Sequence, residues 1–98
     1  MPPPEDSKEM RLKFNDVLVD KARRFSIGIE EQTGKYYLSI PVSNNLVDYE
    51  EYYEINKDEF DQYRRNADAA TGFLEQCRNR QRDDRLIMKP GSDRGVAT

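Results

Sequence analysis

Between residues 25 and 42 the chain alternates apolar with small or polar side chains. Phe25, Ile27 and Ile29 fall on one parity, and Tyr36, Leu38, Ile40 and Val42 share another. Successive side chains of a strand point to opposite faces, so this period of two predicts two half-buried strands. Glu31-Gln32-Thr33-Gly34-Lys35 lies between them, with Gly34 able to take a positive φ, and the pair reads as a hairpin. Pro41 cannot donate to a ladder, so its strand loses a neighbour there or lies at the sheet edge. Ser43-Asn44-Asn45 marks a second turn before Val47–Ile55, where β-branched and aromatic residues favour another strand. Val47, Tyr49, Tyr53 and Ile55 keep one parity; Glu51 interrupts it and implies a bulge or an irregular stretch.

The period changes after Ile55. Asn56 is a good N-cap, Glu59 completes a capping-box pattern, and Ile55 with Phe60 occupies the staple positions. Phe60, Tyr63, Ala67, Ala70, Leu74 and Cys77 recur at steps of three and four, a stripe roughly 25 Å long on one helix. That helix is expected to end near Gln81 or Arg82, with Leu86-Ile87-Met88 tucking back onto the core. In residues 10–22, Met10, Phe14, Val17 and Leu18 fit helical spacing, but Asn15-Asp16 and Val17-Leu18-Val19 favour a turn and a strand. The strand is preferred. The expected fold is α+β: a small antiparallel meander of three or four strands packed by one long C-terminal helix. Residues 1–9 open on three prolines and read as a disordered tail, 10–88 as a single domain, and 89–98 as a second disordered tail.

Composition changes this picture in one respect. Of the 98 residues only 20 are Leu, Ile, Val or Phe, which leaves a core that is marginal alone and that oligomerisation would reinforce. No apolar run approaches the roughly 20 residues that span a bilayer, so no membrane association is expected. A single cysteine, Cys77, permits no internal disulfide and no cysteine metal cluster, and there is no apolar signal core. A reducing, cytoplasmic setting follows.

The chemistry that is missing narrows the function. There is no histidine, hence no common general base, no Ser-His or Cys-His pair and no imidazole metal ligand. Thr33-Gly34-Lys35 lacks the upstream glycine and the Ser or Thr of a phosphate-binding loop, and it sits in a hairpin. Asp48, Glu50, Glu51 and Glu54 do not follow calcium-loop spacing. No catalytic, cofactor-binding or metal-binding residue is assigned, and an enzyme is not expected.

The net charge of −3 hides an uneven distribution: residues 46–62 carry −6, and residues 63–98 carry +3. Helix electrostatics account for Asp58, Glu59 and Asp61 at a helix start and for arginines near its end. They do not reach Asp48 to Glu54. Tyrosines interleaved with carboxylates suit a recognition surface, and Asp48, Tyr49, Glu50, Tyr52 and Tyr53 are the candidate partner-binding residues. The leading functional expectation is a non-enzymatic protein-interaction module, a homodimer, of antitoxin or immunity type, its acidic face covering a basic site.

Arg24-Phe25-Ser26-Ile27 and Lys35-Tyr36-Tyr37-Leu38-Ser39-Ile40, followed by a helix, resemble the first strands and the ββββα order of the purine-rich-element-binding repeat. The likeness covers roughly residues 17 to 80. It implies a dimer binding single-stranded nucleic acid on a curved sheet, with Lys35 and Tyr37 as contacts. The acidic balance disfavours that alternative.

Overall fold

The period-two segments are strands in the computed structural model, which describes residues 12–44, 46–90 and 94–98. β1 (Phe14–Asp20), β2 (Phe25–Glu30), β3 (Tyr36–Ser43) and β4 (Asp48–Ile55) form an antiparallel meander in chain order. The expectation for residues 1–9 lies outside the described residues. Residues 14–20 are a strand, as preferred over a helix, with a register shift between Asp16 and Leu18. β3 and β4 pair without interruption from Tyr36↔Ile55 to Ser43↔Asp48, so no bulge forms at Glu51.

One face of the sheet holds the core. Phe25, Ile27, Leu38, Ile40, Val42, Tyr53 and Ile55 are buried there against Phe60, Tyr63, Phe73, Leu74 and Cys77. Each large side chain so buried contributes about 1.5–3 kcal/mol relative to exposure. Burial pushes the Cys77 thiol up to about 12, so it remains a neutral, free thiol packed as a small apolar group.

The expected single long helix is divided. α1 (Lys57–Arg65), a 3₁₀ turn (Ala67–Ala70) and α2 (Thr71–Arg78) replace it. The capping box forms as read: the Asn56 side chain accepts from the Glu59 N–H at 2.7 Å, and Glu59 accepts from the Asn56 N–H at 2.8 Å. The break is at Asn66, whose backbone is extended (φ −148°, ψ 100°). Its N–H still closes α1 on the Gln62 carbonyl, while its side chain accepts from Asp68 N–H and caps the 3₁₀ turn. A short amide that competes for backbone groups thus ends one helix and starts the next. The apolar stripe survives, because Phe60, Tyr63, Ala70, Leu74 and Cys77 are all buried. Beyond α2, a second 3₁₀ turn (Asp83–Arg85) brings Leu86 against Tyr53, and Ile87 N–H donates to Tyr52 O at 2.9 Å. No helix among the described residues is long and apolar enough to cross a membrane.

Residues 94–98 correct the expectation of a disordered C-terminal tail. β5 (Val96–Ala97) pairs antiparallel with Ser43 and Val42 of β3, alongside the end of β2. Pro41 sits in the gap: the β2 ladder stops at Ser26↔Ser39, and the Pro41 carbonyl accepts from Thr98 N–H at 3.1 Å. Glu51 faces the core, where its carboxylate receives the Arg94 guanidinium at 2.8 and 3.0 Å and the Tyr53 hydroxyl at 3.0 Å. Asp83 takes the outer side of the same guanidinium at 2.8 and 2.9 Å.

The β2–β3 hairpin is built around Glu30, which is fully buried. Its carboxylate accepts from the N–H groups of Lys13, Gln32 and Thr33 and from the Thr33 hydroxyl. Burial raises its pKa, but these donors outweigh burial and hold it at about 2 against an ordinary 4.5. A depressed folded-state value means stability present above pH 4.5 and lost as pH falls toward 2. Glu30→Gln therefore lowers the urea midpoint at pH 7, and its deficit from the wild type shrinks on acidification. A deficit independent of pH would show that the carboxylate charge is not what matters.

Candidate functional site

The second face of the sheet carries no helix among the described residues. Register places Asp16, Gly28, Tyr37 and Glu54 in one row across it, and Val19, Ser26, Ser39 and Tyr52 in the next. The face is strongly curled. Phe14 of β1 stacks on Tyr52 of β4 with ring centroids 3.6 Å apart, although β2 and β3 lie between these strands. Tyr37 is buried edge-on beneath both rings, at 5.2 and 5.1 Å, and its hydroxyl donates to Asp16 at 2.6 Å. Gly28 permits this closure, since a Cβ there would lie 2.1 Å from Asn15 O and 2.5 Å from the Tyr37 hydroxyl.

Small side chains form the floor of the concavity beside the aromatic stack. Val19, Ser26, Pro41 and Glu50 line a groove of about 350 Å³, together with Phe25, Lys21, Arg24 and Asp20, the last paired with Arg23. Glu50 is exposed as a residue, but its carboxyl end is partly desolvated in the curl. That desolvation raises its pKa, the Ser39 hydrogen bond partly offsets it, and the Asp16 charge adds to the rise. Burial, then Glu50 and Asp16, raise the Tyr52 hydroxyl in the same way. Among the described residues no ion pair neutralises Asp16, Asp48 or Glu50.

The pleat divides the five residues read as one partner-binding site. Asp48, Glu50 and Tyr52 lie on the curled open face. Tyr49 and Tyr53 point to the core side: Tyr53 is fully buried with its hydroxyl also donating to Cys77 O at 3.3 Å, and the Tyr49 hydroxyl accepts from Gly95 N–H at 2.8 Å. Tyr53 therefore holds the core, and Tyr49 ties the C-terminal strand to β4. For the nucleic-acid alternative, the Tyr37 ring has no exposed face on which a base could stack, and Lys35 lies 3.5 Å from Glu54. Phe14 and Asp16 join the site although the sequence reading passed over them. Gly28 was the available signal, because a glycine inside a strand marks close approach by another group.

The chain is thus a small α+β protein with a curled antiparallel sheet, open and acidic–aromatic on its concave face. No protein family, curated protein or solved structure matches it.

Proposed function

We propose that this chain is a non-enzymatic protein-binding module that docks a positively charged protein surface on its concave sheet face. The observation that carries this reading is Asp16 and Glu50 beside the Phe14–Tyr52 stack, neither of them in an ion pair among the described residues. A carboxylate such as Glu50, whose ionisation is made costlier by burial and by the Asp16 charge, gains most from a partner that supplies the missing charge. The aromatic rings add contact area that needs little ordering. The fitting class is an antitoxin or immunity protein that covers a basic site, and the single buried thiol suits a reducing, cytoplasmic setting.

The test is affinity capture from native lysate with nuclease treatment, comparing the wild type with Glu50→Lys. Nuclease-resistant partners are expected on the wild type and absent from the variant. Equal capture by both would remove this face from the function. Retention of single-stranded oligonucleotides at low salt, read by fluorescence anisotropy, would instead favour the nucleic-acid class.

Self-association is a second mode, favoured by one observation: Leu46, Val47 and Val96 are 79%, 57% and 63% exposed around the β3–β4 turn and β5. Such a dimer would leave the acidic face free for the partner. Light scattering at high micromolar concentration is expected to give twice the monomer mass for the wild type. Only monomer there would end the dimer reading.

A further inference from the structure

The groove beside the aromatic stack has a more specific complement than a basic surface in general. We infer that it receives a single arginine side chain of the partner protein, its guanidinium against Glu50 and its stem between Val19 and Pro41. The inference rests on the docking face proposed above and adds the chemistry of its anchor.

Three features select this occupant. The groove is partly apolar, lined by Val19, Phe25 and Pro41 beside Ser26, and so it suits an aliphatic stem rather than a compact ion. Glu50 lines the groove, and Tyr52, two residues further along the same face of β4, stands beside it, with the Asp16 charge close enough to act on both. A planar guanidinium can bond a carboxylate with two donors while stacking on a ring, whereas an ammonium offers a point charge without a stacking plane. The same lining carries Lys21 and Arg24. Arg24 is held in a left-handed conformation (φ 61°), and its guanidinium donates to the Thr98 hydroxyl at 3.2 Å. These two cations repel further positive charge, so the groove accepts one arginine and disfavours a polybasic run.

The experiment is a ¹H–¹⁵N NMR titration of the full chain with three acetylated and amidated tripeptides: Gly-Arg-Gly, Gly-Lys-Gly and Arg-Arg-Arg. Saturable shifts are expected for Gly-Arg-Gly at Ser26, Ser39 and Glu50. Gly-Lys-Gly is expected to bind about threefold more weakly or worse, having lost stacking and the second hydrogen bond. Arg-Arg-Arg should bind no more tightly than Gly-Arg-Gly. Glu50→Gln, at an exposed position whose folding the same spectrum verifies, should weaken Gly-Arg-Gly by about fivefold or more through loss of a charged hydrogen bond.

Absence of saturable shifts, shifts at Glu54, Glu59 and Asp84 instead, or tighter binding of Arg-Arg-Arg would each overturn the arginine anchor. If Glu50→Lys nevertheless abolishes partner capture, the anchor is wrong and the docking face stands. If capture is also unaffected, both are wrong.

Discussion

Arg94→Ala lowers the unfolding free energy by about 3 kcal/mol, a large share of the stability of a domain this small. The cause is the group left behind. Glu51 sits among core residues with its side chain only 7% exposed, and Arg94 at 13% is the cation beside it. Truncating the arginine strands a carboxylate where water cannot compensate it, which is costlier than the pair was worth. Asp83 loses its partner too, but it is half in solvent and contributes little. The Tyr53 hydroxyl still donates to Glu51, but one neutral donor does not replace the lost cation. The check is urea unfolding of the wild type, Arg94→Ala and the double variant Arg94→Ala with Glu51→Leu. Adding Glu51→Leu to Arg94→Ala should recover most of the loss, because it removes the stranded charge and fills the site with apolar volume. A single-variant loss below about 1 kcal/mol would mean that Glu51 reaches water in the absence of Arg94.

Gly28→Ala is expected to cost about 3 kcal/mol and to open the concave face at the same time. The methyl group would be placed 2.1 Å from the Asn15 carbonyl oxygen, which is backbone on the neighbouring strand and has no rotamer to change. It would also press on the Tyr37 ring at 2.8 Å, whose hydroxyl is tied to Asp16. Relief requires β1 to move away from β2, and β1 carries Phe14 and Asp16 into the site. The expected signature is therefore double: a lower urea midpoint, and faster amide exchange along β1 with little change at α2. Loss spread evenly over the whole chain would point to general destabilisation rather than to a closure device. Wild-type stability in Gly28→Ala would show that the curl does not depend on this glycine.

Much of the architecture was legible because it follows from local periodicity. The alternation in Phe25–Ile29 and Tyr36–Val42 and the capping signals at Asn56 and Glu59 each act over a few residues, and each appears in the fold. Asn66 was the exception among the helical residues. Its neighbours continue the apolar stripe, so spacing alone runs the helix through it, while the amide's preference for the cap position decides otherwise. The C-terminal strand was hidden for the opposite reason: Val96-Ala97 has too few residues for a period, and its partners are Ser43 and Val42, more than fifty positions earlier.

The candidate site divides along the same line. Parity within β4 already separates Asp48, Glu50 and Tyr52 from Tyr49, Glu51 and Tyr53, whereas charge and aromatic content mark the five candidates as one segment. Which parity faces water is not a property of β4. It depends on the helices covering one side and on Arg94 arriving to neutralise Glu51, which lets a carboxylate occupy a core position without a bulge. The order of the strands, the helix start and the lack of histidine chemistry follow from residues near one another in the chain. The curl that stacks Phe14 on Tyr52, and with it the acidic concavity, comes from contacts between distant strands, and only the assembled sheet brings those residues within reach.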